Sequence, residues 1–137
     1  MSKLIEALTR EHAWLVAMLG EVQKLRIGTE ASNKVLFEAK NGLLVHLGKE
    51  NEQLYPVLRR AAAADPRLKR TLEIFAEELE QVAAGALRFF EKYDSGDTSN
   101  LDFAVDLGQL IGTLSQRIQK EESILYVEYD KLFQKPF

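Results

Sequence analysis

The sequence predicts an all-α fold, an up-down-up-down antiparallel four-helix bundle. Apolar residues recur at helical 3–4 spacing along most of the 137 residues. Strand patterns are nearly absent: there is no alternating β-branched run, and the only prolines are Pro56, Pro66 and Pro136. The helical stretches are about 25–30 residues long and are separated by short turn-rich breaks, as in a bundle with short loops.

The first helix is expected over 2–26, with Ile5, Leu8, His12, Leu15, Leu19 and Val22 as its inward stripe. A break follows over Thr29 to Asn33, just after Gly28, and Ser32 or Asn33 can cap the second helix. That helix is expected over 33–60, with Leu36, Ala39, Leu43, His46, Glu50, Leu54 and Val57 inward and Pro56 kinking or ending it. Asp65-Pro66 is the clearest helix start in the chain, an N-cap followed by proline at the first helical position. The third helix then covers 66–93, with Leu72, Phe75, Leu79, Val82, Ala86, Phe89 or Phe90, and Tyr93 inward. After the break Asp94 to Asn100, Ser99 and Asp102 can form an acidic capping box. The fourth helix is expected over 100–133, with Phe103, Leu107, Leu110, Leu114, Arg117, Glu121, Ile124 and Glu128 inward. Six glycines, Gly20, Gly42, Gly48, Gly85, Gly108 and Gly112, fall inside these helices. Each costs about 1 kcal/mol against alanine, and close helix contact is the expected reason for them.

Composition narrows the function. A chain that is 46% apolar and 28% charged reads as one globular domain over 1–137, with a core that needs no disulfide staples. Zero cysteines exclude thiol catalysis, cysteine-rich zinc sites and iron–sulfur clusters. A net charge of −3 leaves no electrostatic footprint for nucleic acid, and acids offset the basic cluster Arg59, Arg60, Arg67, Lys69 and Arg70. No apolar run approaches the roughly 20 residues of a membrane span. The charged start, Lys3 and Glu6, does not suit a signal peptide, so a cytoplasmic location is expected. No phosphate loop is present, because the glycines around Lys49 have the wrong spacing.

The informative residues are those that interrupt the apolar stripes: His12, His46, Glu50, Arg117 and Glu121. His46 and Glu50 are four apart and share a face, as do Arg117 and Glu121. Buried charge is costly unless paired or metal-bound, so these five groups need each other, a metal ion, or both. Their positions along antiparallel helices put them at about one level, within a turn. The segment His46-x-x-Lys49-Glu50-x-x-x-Leu54-Tyr55 is echoed 71 residues later by Arg117-x-x-Lys120-Glu121-x-x-x-Leu125-Tyr126. The echo suggests two helical hairpins related by a pseudo-two-fold, with a site between them.

At these residues the chain resembles the hemerythrin-like (HHE cation-binding) family. The most specific part is His46-x-x-x-Glu50 followed by Leu54-Tyr55-Pro56, and the next is Lys120-Glu121-Glu122 through Leu125-Tyr126. The resemblance implies a four-helix bundle built around a di-iron centre that binds O2 or senses oxygen, nitric oxide or iron. It also implies ligand roles for His12, His46, Glu50 and Glu121. The chain departs from the family pattern on the third helix, where Phe75 and Leu79 stand in place of a histidine, and on the fourth, where Arg117 does. One ion's set is retained and the other has lost its histidines.

Three readings follow. One metal sits on His12, His46 and one or both carboxylates, with Arg117 as the cation in place of the second. Iron suits two imidazoles plus carboxylate, and zinc or manganese could use the same atoms. Alternatively no metal binds, and Arg117 closes a buried network with Glu50, Glu121 and the histidines, as in a regulatory or interaction module. In the third reading Glu78 is recruited to rebuild a two-metal site. Tyr55 and Tyr126 are candidates to hydrogen-bond a ligand or simply to pack. Trp14 reads as packing or interface, and Lys49, Lys120, Glu52 and Glu122 as solvent-face charges. Phe89, Phe90, Tyr93, Tyr129 and Phe133 are expected to form one aromatic end of the bundle. No nucleophile–base pair is visible, which favours binding or sensing of a small ligand such as O2 or NO over turnover, with an oxidase-like enzyme as a further alternative. A homo-oligomer is left open.

Overall fold

A computed structural model describes residues 2–25, 29–93 and 101–133. Six α-helices assemble into four rods: α1 (Lys3–Lys24), α2 (Glu30–Lys49), α3 (Tyr55–Ala62), α4 (Pro66–Tyr93), α5 (Leu101–Lys120) and α6 (Tyr126–Lys131). A π-turn at Glu50–Leu54 fuses α2 to α3, and another at Glu121–Leu125 fuses α5 to α6. The described residues contain no strand. The first rod packs against the second and the fourth, and the third against the same two, which is the expected four-helix bundle.

Local chemistry starts the rods. Ser2 caps α1 by accepting the Ile5 N–H at 3.2 Å. Asp65 caps α4 by accepting the Leu68 N–H at 3.2 Å, as the Asp65-Pro66 pair predicts. The start of α2 differs from expectation. Its cap is Thr29, whose Oγ1 accepts the Ser32 N–H at 3.2 Å, so the helix begins three residues early and Ser32 is buried inside it. The Ser99–Asp102 capping box lies outside the described residues, since Ser99 is among those left out.

Pro56 does not end the second rod, which continues through α3 to Ala62. It falls in the first turn of α3, just after the π-turn closed by Tyr55 N–H to Glu50 O, where its missing N–H costs nothing. Proline is not the cause of the π-turn, because the turn at 121–125 has Val127 at the matching position.

The extra residue in each π-turn moves the inward stripe by one. Beyond Glu50 the buried residues are Leu54, Tyr55, Leu58 and Ala62, and Val57 is only half-buried. Beyond Glu121 they are Leu125, Tyr126 and Tyr129, while Ile124 is 41% exposed and Glu128 is only half-buried. The stripe expected for the first helix is buried in full.

Two apolar clusters fill the bundle. One gathers Leu15, Leu19 and Val22 with Leu36 to Leu43, Ala86 to Tyr93 and Phe103 to Leu114. The other gathers Ile5 and Leu8 with Leu54 to Ala62, Leu68 to Phe75 and Leu125 to Tyr129. The polar residues of the stripes lie at the waist between them. The aromatic residues therefore do not form one end. Phe89, Phe90 and Tyr93 pack with Phe103, whereas Tyr129 meets Phe133 in the other half. The fourth rod starts beside the end of the third and runs away from it, which separates the two groups.

Close contact explains only one of the six helical glycines. A Cβ on Gly42 would stand 2.1 Å from the Trp14 ring, so the indole lies directly on the α2 backbone. Gly20, Gly48, Gly108 and Gly112 have nothing within 4 Å, and Gly85 meets only the Arg88 side chain at 3.9 Å. Gly108→Ala and Gly112→Ala are accordingly expected to stabilise the protein by about 0.5–1 kcal/mol each in urea melts. Gly42→Ala should destabilise it and shift the fluorescence of Trp14, the one tryptophan in the chain.

Candidate metal centre

Three rods bring the five interrupting residues together. His12 comes from the middle of α1, His46 from the last turn of α2, and Arg117 from the last turn of α5. Glu50 and Glu121 are the first residues of the two π-turns. All are buried: His12 is 3% exposed, His46 4%, Glu50 0%, Arg117 5% and Glu121 3%. One ligand atom each from His12, His46, Glu50 and Glu121 lies within 4.8 Å of the others.

The imidazoles are held by carboxylates outside the cluster. His12 Nδ1 donates to Glu122 at 2.8 Å, and His46 Nδ1 donates to Glu11 at 2.7 Å, a carboxylate that also pairs with Lys49. These bonds assign the proton to Nδ1 and turn both Nε2 lone pairs inward, the arrangement seen when a carboxylate orients a metal-binding histidine. His12 Nε2 is 3.4 Å from Glu121 Oε1, and His46 Nε2 is 3.5 Å from Glu50 Oε1. The two rings are 4.5 Å apart, centre to centre.

Glu11 and Glu122 are the histidines' partners at the candidate site, and sequence reasoning missed them. Glu122 and Lys49 are not the free solvent-face charges expected. Each outer acid adjoins a stripe residue in sequence, Glu11 beside His12 and Glu122 beside Glu121, and serves a histidine on another rod. Acids directly next to stripe residues were the available clue.

Both tyrosines enter the waist. Tyr126 donates to Glu50 Oε2 at 3.0 Å, stands 3.2 Å from His12 Nε2 and stacks on the His12 ring. Tyr55 accepts from Arg117 Nη2 at 3.0 Å. Arg117 lies over the Phe75 ring, 4.8 Å from its centre. Its nearest carboxylates are Glu78 and Glu121, both at 3.8 Å, too far for hydrogen bonds. Glu78 is half-buried, turns to Arg117 and Lys120, and is not part of the convergent group. A cavity of about 20 Å³, large enough for one water-sized molecule, adjoins His12, His46, Arg117 and Glu121. Leu79 and Leu114 are among its apolar lining.

Electrostatics at the waist are unbalanced. With both carboxylates ionised, His46 Nε2, Glu50 Oε1, Glu121 Oε2 and Arg117 Nε and Nη1 lack hydrogen-bond partners among the described residues. Burial first, and the Glu121 charge second, push Glu50 from 4.5 up to about 8. Burial also raises Glu121, against the pull of Arg117. Burial lowers His46, opposed by Glu50 and Glu11. Desolvation would raise Glu11, but hydrogen bonds from Lys49 and His46 outweigh it and hold it low. Burial lifts both phenols well above the usual tyrosine range.

A buried cation relieves this imbalance. Inward imidazole lone pairs, orphaned carboxylate oxygens and outer carboxylates fit the needs of a metal ion. Fold and cluster together define a helical bundle with a His/Glu group that could hold a cation. The chain belongs to the hemerythrin family: the family model for the hemerythrin HHE cation binding domain matches residues 3–129. No curated protein and no solved structure gives a significant match to the chain. Among the described residues, no helix is long and apolar enough to cross a membrane.

The raised Glu50 carboxyl sets a pH dependence. Between its ordinary value of 4.5 and about 8, the metal-free folded chain holds a proton that the unfolded chain has released. Stability therefore falls as pH rises through that interval. His46, lowered from 6.5, acts oppositely, but only below that value. In chelator, the melting temperature should drop between about pH 6.5 and 8. Glu50→Gln should flatten that slope in circular-dichroism melts.

Proposed function

We propose that the protein binds one metal ion of iron type on His12, His46, Glu50 and Glu121. On this reading it serves in binding or sensing a small ligand such as O2 or NO, or in iron handling, in the cytoplasm. The observation that carries the reading is the pair of inward Nε2 atoms, each fixed by an outer carboxylate and each facing a buried carboxylate with an unpartnered oxygen. Iron is favoured because two imidazoles and carboxylates with open positions suit its divalent form, although zinc or manganese could use the same set.

One ion is proposed rather than two. The residues that would complete a second set are Phe75, Leu79 and Arg117. A guanidinium bonded to Tyr55 and resting on Phe75 is a fixed charge in that half of the site. When bound, iron would supply open coordination positions for a small ligand. The chain's own residues do the rest. Glu11 and Glu122 would orient the imidazoles, and the small cavity beside Leu79 and Leu114 has room for one water-sized ligand. The fixed charge of Arg117 favours an anionic ligand there.

The competing reading, a metal-free module with a closed Arg–Glu–His network, requires Arg117 to bond its carboxylates. Its 3.8 Å separations from Glu78 and Glu121 weigh against that.

Elemental analysis after anaerobic Fe(II) loading tests the proposal. About one iron per chain is expected, lost in His12→Ala and His46→Ala; none, or about two, would refute it. Glu11→Ala and Glu122→Ala should weaken metal affinity by about 10–100-fold. Arg117→His with Leu79→His should raise iron stoichiometry, and no increase would mean that these positions do not correspond to the absent ligands.

A further inference from the structure

We infer that Tyr126 is a fifth ligand and that its phenolate oxygen selects a ferric ion. This rests on the metal reading above for the site and its stoichiometry, and replaces the divalent form favoured there with the trivalent one. The hydroxyl oxygen is 3.0 Å from Glu50 Oε2 and 3.2 Å from His12 Nε2. The other facing donor pairs, His12 with Glu121 and His46 with Glu50, are 3.4 and 3.5 Å apart. Metal bonds of about 2.0–2.2 Å to nitrogen and oxygen put neighbouring ligand atoms about 3.0–3.5 Å apart. The phenol oxygen thus stands at ligand spacing from two of the four candidate ligands.

With Glu50 protonated, hydrogen bonds account for this position, because the carboxyl can donate to the phenol and the phenol to His12 Nε2. Glu122 engages His12 Nδ1, so Nε2 presents a lone pair, and Glu50 Oε2 presents another. With Glu50 ionised, as cation binding requires, one phenol proton cannot serve both contacts, and three lone-pair atoms converge where one cation would satisfy all of them. The pseudo-symmetric partner behaves differently: Tyr55 faces a donor, Arg117 Nη2, at 3.0 Å. Each phenol oxygen is thereby turned toward a positive charge, a fixed guanidinium for Tyr55 and a metal ion for Tyr126.

Two carboxylates and one phenolate supply three negative charges, matching a trivalent ion, while Glu78 at 3.8 Å answers Arg117. On ligation the Tyr126 O–H bond breaks, the oxygen–metal bond forms and the proton leaves to solvent. No electron is transferred when the iron arrives as Fe(III).

The test loads the metal-free full chain with ferric nitrilotriacetate, removes excess by desalting, counts iron and records the visible spectrum. About one iron with a broad phenolate-to-iron charge-transfer band is expected. Tyr126→Phe, which keeps the ring on His12, should bind the same iron without the band, and Tyr55→Phe should keep it. Iron bound without the band overturns this inference and leaves the metal reading standing; no ferric iron bound overturns this inference, and the metal reading falls with it only if anaerobic Fe(II) loading also gives none. A band that survives Tyr126→Phe, or vanishes in Tyr55→Phe, also overturns it. If Tyr126→Phe does not fold, the Tyr55→Phe spectrum decides: Tyr93 bonds Asp106 and Tyr129 packs on Phe133, so only Tyr126 then remains at the site.

Discussion

Glu50 and Glu121 sit in the waist between two apolar cores, 0% and 3% exposed, and the rest of the centre is arranged around their charge. Removing an ionised carboxylate from water costs several kcal/mol even after relaxation, and a second one close by adds repulsion. One guanidinium at 3.8 Å from Glu121 cannot neutralise both. Burial favours a proton on Glu50 when no cation is present, and on the proposed reading a bound cation would let both carboxylates ionise. The histidines fit both states, because Glu11 and Glu122 hold their protons on the outer nitrogens and leave neutral lone pairs inside.

The π-turns make that arrangement fit the bundle. Each begins at a waist carboxylate and ends on a leucine that is followed by a tyrosine. In an α-helix adjacent residues point about 100° apart; Phe89 and Phe90 are both buried on α4 without a π-turn, and at Leu54-Tyr55 and Leu125-Tyr126 the burial of both neighbours coincides with one. The added residue widens the turn and brings the phenols inward, one to Arg117 and the other to Glu50 and His12. Single π-turns inside helices are rare and cluster at functional sites. Here two of them occupy matching places in the repeat.

The rods and the waist were legible in the sequence because both follow from period. A stripe such as Ile5, Leu8, His12, Leu15 has one inward solution, and a histidine on it is buried wherever the apolar residues are. The π-turns were not legible. A shift of one residue leaves plausible spacing on both sides, so Val57, Ile124 and Glu128 read as inward while Tyr55, Leu58, Tyr126 and Tyr129 took the core. Glu11 and Glu122 were hidden differently. They lie off the stripe, and what marks them is a partner on another rod. The aromatic end was misplaced for a topological reason, since Tyr93 and Tyr129 sit near the ends of rods that run in opposite directions.

On the proposed reading, Arg117 stands in a metal-ligand position, and that exchange changes more than stoichiometry. A metal ion can leave and a proton can take its place, but a guanidinium is charged at every accessible pH. Its half of the site is thus permanently set, pinned by Tyr55 and Phe75, while the His12–His46–Glu50 half retains a choice of occupant. Because Glu50 must lose its proton when a cation arrives, cation binding and proton release are linked in the same buried space. A neighbour that senses the charge at the waist, such as a small ligand in the adjoining cavity beside Arg117 and Glu121, would respond to whether the centre is filled.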